Sequence, residues 1–194
     1  MAQKPKILAF TGSLRKNSYS ERIVKTAAHG AERAGAEVTY IDLLDYPLPI
    51  YNHDEAQGGG FSVNAAKLQK LLAQHDGLLV ASPEYNGSLT GALKNAIDWA
   101  SRTTDEYRMG AVFNGKFAAI MTQSPGAFGG IGCLRHLRDV FTVLLINVLP
   151  VQIAVGKVHE MFDGDGAEMT DEKMKNTLED LGASLAEMLK KTHG

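Results

Sequence analysis

The sequence predicts a doubly wound α/β fold, a five-stranded parallel sheet with helices on both faces. Two observations carry that reading. Short apolar runs without polar interruption alternate with segments whose apolar residues recur at helical spacing, the rhythm of strands buried on both faces. Three of the turns that follow these runs are rich in glycine, serine or asparagine, at the carboxyl ends of strands, where such sheets meet their ligands.

The elements follow in order. Ile7 to Phe10 is a buried strand stopped by Thr11-Gly12-Ser13, and Ile23, Val24, Ala27, Ala28 and Ala31 mark one face of a helix from Ser20 to Ala34, ended by Gly35. Val38 to Ile41 is a second strand. Leu43 to Gly60, with two prolines and three consecutive glycines, is expected to be loop. A helix spans Ser62 to His75, a third strand Leu78 to Ala81, and a third helix Thr90 to Ala100. Phe117 to Met121 is the fourth strand, and Leu134, Leu137, Phe141 and Leu144 give the helix after it. Val148 to Val155 is expected as one fifth strand, at an edge because Pro150 cannot donate to a central ladder. A last helix from Asp171 to Leu189 places Met174, Leu178, Leu181, Leu185 and Met188 on one stripe.

The 194 residues fit a single domain, 1–194, able to bury roughly 70% of its unfolded surface. Twenty Lys and Arg against 22 Asp and Glu give a net charge of −2, which argues against a nucleic-acid partner held by bulk positive charge and against a strongly acidic electron carrier. One cysteine excludes an intrachain disulfide or a multi-cysteine metal centre, and the six histidines show no ligand spacing, so no metal is expected. No apolar run approaches the roughly 20 residues of a spanning helix, and Ile7 to Phe10 is too short for a signal-peptide core; a soluble cytoplasmic protein without a membrane partner is expected.

The turns hold the chemistry. Gly12 to Ser20 offers three serines, Arg15, backbone N–H groups and the positive end of a helix, which suit a terminal phosphate; an ordinary hydroxyl-rich helix cap is the alternative. The turn is neither a P-loop nor a G-x-G-x-x-G fingerprint. Ser82 to Thr90 combines Pro83, Glu84, Tyr85, Asn86 and Gly87, a stiff entrance, a flat ring and a permissive backbone. Thr122 to Gly132 carries four glycines that allow close approach to a ligand, or a flexible loop. No G-x-S-x-G elbow is present. Cys133 reads as a small packed thiol rather than a nucleophile, and Asp98 and Trp99 as packing or subunit contacts.

Taken together, Gly12-Ser13-Leu14-Arg15-x-x-Ser18, Pro83-Glu84-Tyr85-Asn86, Leu93-Lys94-Asn95-Ala96-Ile97-Asp98-Trp99 and Gly129-Gly130 resemble the flavodoxin-like NAD(P)H-dependent FMN reductases, a group that includes quinone, azo-dye and chromate reductases. The likeness runs from about residue 6 to 155 and implies strand order 2-1-3-4-5. It implies FMN, tightly bound, with Ser13, Arg15, Ser18 and Ser20 on its phosphate and the backbone of Leu14, Arg15, Lys16, Asn17, Ser18 and Tyr19 closing around it. Pro83, Glu84, Tyr85, Asn86 and Gly87 would meet the isoalloxazine edge, and Ser124 and Gly126 would border the ribityl chain and ring. Ser20 departs from the asparagine of many relatives.

The resemblance also implies NAD(P)H as a transient co-substrate in a ping-pong reaction through the flavin N5, with no protein acid, base or nucleophile. A flavodoxin-type one-electron carrier is the alternative. A homodimer or homotetramer is implied, with the fourth helix, Tyr51, Trp99 and Tyr107 as candidate contact surface, and Arg102, Arg108 and Lys116 are candidates for a 2′-phosphate.

Overall fold

A computed structural model describes residues 4–58, 60–164 and 168–193. In chain order, β1 (Lys6–Thr11) leads through the serine-rich turn to α1 (Tyr19–Arg33), then β2 (Glu37–Ile41). Next come α2 (His53–Gln57), α3 (Val63–Ala73), β3 (Gly77–Pro83), α4 (Gly91–Ala100), β4 (Phe117–Gln123) and α5 (Ile131–Val143). The chain continues through β5 (Asn147–Val148) and β6 (Ile153–Val155) to α6 (Glu172–His193). The strands run parallel in the order β2-β1-β3-β4, with β5 and β6 sharing the far side of β4. This is the expected flavodoxin-like arrangement.

Alternation along the strands divides the core. Ile7, Ala9, Leu79, Ala81, Ala119 and Met121 join the cluster that α1 and α6 cover, whereas Leu8, Leu78, Val80, Ala118 and Ile120 join the cluster of α3, α4 and α5. Each fully buried Leu or Ile contributes about 1.5–3 kcal/mol. Two glycines let α1 and α6 touch backbone to backbone: a Cβ at Gly30 would lie 1.9 Å from the Glu179 carbonyl oxygen, and one at Gly182 1.8 Å from that of Ala27. Asp171 caps α6 by accepting the Met174 N–H at 2.8 Å.

Two expectations are corrected. The stretch from Leu43 to Gly60 is not all loop: a 3₁₀ turn covers Leu43–Asp45, and Asn52 caps the short α2 by accepting the Asp54 N–H at 3.0 Å. The fifth strand is broken. β5 pairs with Phe117 and Ala118, β6 pairs with Met121 to Gln123, and the residues between, with Pro150 among them, leave the ladder. Pro150 does mark an edge, and it interrupts that edge as well.

Candidate functional site

The turns after β1, β3 and β4 converge at the carboxyl end of the sheet. The first is pinned from below. The Gly12 N–H donates to Ala81 O at 2.8 Å, and the Thr90 hydroxyl donates to Gly12 O at 2.6 Å while capping α4 by accepting the Leu93 N–H at 3.1 Å. A Cβ at residue 12 would stand 2.9 Å from Leu93 Cβ, so glycine is what lets β1 and α4 close at this point. Thr11 Oγ1 then accepts the Ser13 N–H at 3.1 Å, Ser13 Oγ accepts the Arg15 N–H at 3.2 Å, and Ser18 Oγ caps α1 by accepting the Glu21 N–H at 3.2 Å.

Above these ties a row of donors stays open. Among the described residues, no acceptor meets the N–H of Leu14, Lys16, Asn17, Tyr19 or Ser20. Asn17 bends the turn with φ of 54°, a left-handed conformation that asparagine tolerates. Arg15 and Lys16 are exposed on its rim. Ser13 and Ser18 accept bonds yet keep their hydroxyl protons to donate. Open N–H groups at a helix start, beside hydroxyls and cations, fit the phosphate of a nucleotide.

The Ser20 side chain is placed differently from the expectation, and the Tyr19 ring lies aside from a turn to which only its backbone is expected to contribute. Ser20 is fully buried, and its hydroxyl accepts from Gln123 Nε2 at 3.1 Å, so the side chain ties α1 to the end of β4 from beneath. The Tyr19 ring turns to the side, 5.6 Å from the Phe162 ring and 5.2 Å from the Arg22 guanidinium, which leaves only its N–H for the cradle.

The second turn is tight. Tyr85 N–H donates to Ser88 O at 2.9 Å and Ser88 N–H to Tyr85 O at 3.1 Å, with φ of 52° at Asn86 and 78° at Gly87, the type I′ geometry that Asn-Gly favours. The N–H groups of Asn86 and Gly87 meet no acceptor among the described residues, and the Tyr85 ring is half exposed beside them. Pro83 is the buried last residue of β3. Glu84 turns away: its Oε2 accepts the Cys133 N–H at 2.8 Å in the first turn of α5. Its side chain is thereby engaged within the protein.

The third turn is held by the end of β6 and the residues that follow it. Ser124 N–H donates to Val155 O at 3.1 Å, Ser124 Oγ accepts the Gly126 N–H at 3.1 Å, and Gly126 O accepts the Lys157 N–H at 3.0 Å. The Thr122 hydroxyl donates to Gly129 O at 2.9 Å. The glycine-rich stretch is thus a fixed turn, with Ser124 and Gly126 on its open side. Cys133 is buried behind it, where burial chiefly, against a Ser82 hydrogen bond and with a further push from the Glu84 charge, raises the thiol to about 11. A thiol so placed is no nucleophile at neutral pH.

Sequence reasoning missed Thr90, Gln123 and Gly132 as supports. Thr90 had a signal, a hydroxyl residue three positions before the apolar Leu93 at a helix start. Trp99 is fully buried, with its indole N–H donating to Pro49 O at 2.8 Å, so it packs the interior and offers no contact surface. Arg102 and Lys116 lie at the far end of the sheet. Arg102 Nε binds Asp98 O at the end of α4, and Lys116, one residue before β4, donates to His75 O. Neither borders the three turns. Beside the crevice, a groove of about 740 Å³ runs between Leu43–Tyr51 and α4, with Leu14 at one end and the exposed Ile50 on its wall.

Sheet order, cradle and crevice define a flavodoxin-like mononucleotide-binding protein. The sequence profile of the NADPH-dependent FMN reductase family matches residues 5–160, and the chain belongs to that family. It is 33% identical over 182 residues to an NAD(P)H-dependent FMN reductase of Pseudomonas aeruginosa, with 92% of each chain covered. It is 37% identical over 185 residues to an NAD(P)H:quinone oxidoreductase of Solanum tuberosum, covering 92% of this chain and 90% of the relative. The flavoenzyme NAD(P)H:(acceptor) oxidoreductase FerB of Paracoccus denitrificans superposes with a TM-score of 0.78 at 27% identity, over 98% of this chain and 99% of that one. A flavodoxin from Archaea, 12% identical with a TM-score of 0.62 over 95% of this chain and 99% of its own, shares the fold. The chain is an NAD(P)H-dependent flavin oxidoreductase that uses FMN, as the motif resemblance implied.

Proposed function

We propose that this protein passes reducing equivalents from NAD(P)H through tightly held FMN to quinones or similar small acceptors, such as azo compounds, chromate or free flavin. The observation that carries the reading is the row of five open N–H groups between Leu14 and Ser20 at the start of α1. A phosphate monoester brings about −1.5 to −2 charge and three acceptor oxygens, the complement of that row. In this reading the N–H groups and the hydroxyls of Ser13 and Ser18 hold the phosphate, and Arg15 and Lys16 close over it. Asn86 and Gly87 donate to the polar ring edge beside Tyr85, and Ser124 and Gly126 border the ribityl chain. Tyr19 contributes backbone alone, while Ser20 and Glu84 work from behind.

When bound, FMN supplies the redox chemistry, so the protein needs only to bind, orient and shield. Quinone acceptors are favoured because quinone reductases of Escherichia coli and Solanum tuberosum stand among the relatives. The protein works in the cytoplasm as a single domain, in a homodimer or homotetramer whose contact covers the groove around Ile50, without nucleic acid or membrane. Among the described residues, no helix is long and apolar enough to cross a membrane.

The test is the anaerobic visible spectrum of FMN-loaded protein before and after NADPH or NADH. The flavin bands should bleach with a nicotinamide nucleotide and return on adding a quinone. Bands that persist with both nucleotides yet bleach with a chemical reductant would replace this reading with that of a one-electron carrier.

A further inference from the structure

The Glu84 side chain is a carboxylate in the wall of a crevice that must hold an anion, and no lysine or arginine pairs with it among the described residues. Its counter-charge is the start of α5. Glu84 Oε2 accepts the Cys133 N–H at 2.8 Å, where the helix dipole presents about half a positive charge. The surrounding glycines fit this side chain closely. A Cβ at Gly132 would lie 2.9 Å from Glu84 Oε2 and 2.7 Å from Gly87 O, and one at Gly130 would lie 3.2 Å from Glu84 Cβ. A second tie runs in parallel, His136 Nδ1 to Ser88 Oγ at 3.0 Å. The Pro83-Glu84-Tyr85-Asn86 turn and the start of α5 are thus built to each other.

We propose that Glu84 is a positioning residue for FMN: its carboxylate, seated on α5, locks the turn that meets the ring edge to the neighbouring glycine turn. The proposal rests on the FMN reading above. Held in this way, the N–H groups of Asn86 and Gly87 are fixed before the ligand arrives, and the carboxylate is neutralised by the helix end instead of facing the flavin. Gly132 is small to make room for this clamp.

The experiment measures FMN affinity by fluorescence titration for wild type, Glu84→Gln, Glu84→Ala and Gly132→Ala. Alongside it, amide hydrogen exchange at Cys133 is followed in the flavin-free proteins. Glu84→Ala should weaken FMN binding by about tenfold and speed exchange at Cys133, whereas Glu84→Gln keeps an oxygen acceptor and restores most of both. Gly132→Ala, whose Cβ would press on both Glu84 Oε2 and Gly87 O, should also weaken binding and speed exchange at Cys133. If Glu84→Ala does not fold, Glu84→Met, which keeps the volume and loses the acceptor, takes its place with the same expected losses.

Glu84→Ala binding FMN as wild type does would overturn the proposal. So would Glu84→Gln losing as much affinity as Glu84→Ala, since the charge would then act on the ligand directly. Failure of the wild-type protein to bind FMN would instead remove the reading beneath it.

Discussion

At the amino end of the strands Asp76 Oδ2 accepts the Lys6 N–H, Lys116 Nζ donates to His75 O, and Gln69 Nε2 donates to the carbonyls of Ala100 and Arg102. At the carboxyl end the hydroxyls of Thr11, Ser13, Ser18 and Thr90 are used to shape a turn whose own N–H groups stay open. The sheet is the same at both ends, and the turns differ. Where the chain only needs to close, polar groups answer one another; where a ligand belongs, a second layer holds the first open for it.

The largest effect that sharpens this contrast belongs to the closed end. Trp99 is fully buried, with Tyr51 and Phe61 edge-on at 5.2 and 5.4 Å. Trp99→Ala should cost about 3–5 kcal/mol in urea unfolding of flavin-free protein. A loss of a few tenths would mean that the closed end is not closed.

Arg15→Ala should show the opposite signature. FMN binding should weaken by roughly 2–3 kcal/mol, the worth of a charged hydrogen bond, with unfolding of the flavin-free protein unchanged within about 0.5 kcal/mol. Unaltered flavin affinity would remove Arg15 from the phosphate site. The smallest effect lies between the two ends, at Cys133. Its folded-state thiol is raised from 9.0 to about 11, so it contributes stability below pH 9 that is lost as pH rises through about 11. The stability difference between wild type and Cys133→Ala should therefore fall over that window, and a flat difference would place the thiol near solvent.

Much of this was legible in the residues. Leu78 to Ala81 and Phe117 to Met121 are continuous apolar runs because both strands are buried on two faces, and the turns after them announce themselves by glycine and asparagine. The break between β5 and β6 was only half legible: Pro150 signalled an edge, but the apolar residues on both sides of it, Val148 and Leu149 before and Ile153 to Val155 after, read as one strand. α2 escaped notice because five residues behind a capping Asn52 show no helical period. Ser20 and Glu84 are tied to the cradle and the ring edge by the motif resemblance. Their side chains instead answer Gln123, 103 positions away, and Cys133, 49 positions away, and no local pattern encodes such a partner.

The broken edge has a consequence for the protein in a crowded solution. An open sheet margin is a template on which another chain can add a strand, and repeated addition builds fibrils. On the margin beyond β4, a strand arriving from outside meets two residues of ladder, a gap with exposed Pro150, and then three residues more. Neither piece is long enough to seed growth, so Pro150 guards against aggregation at this edge.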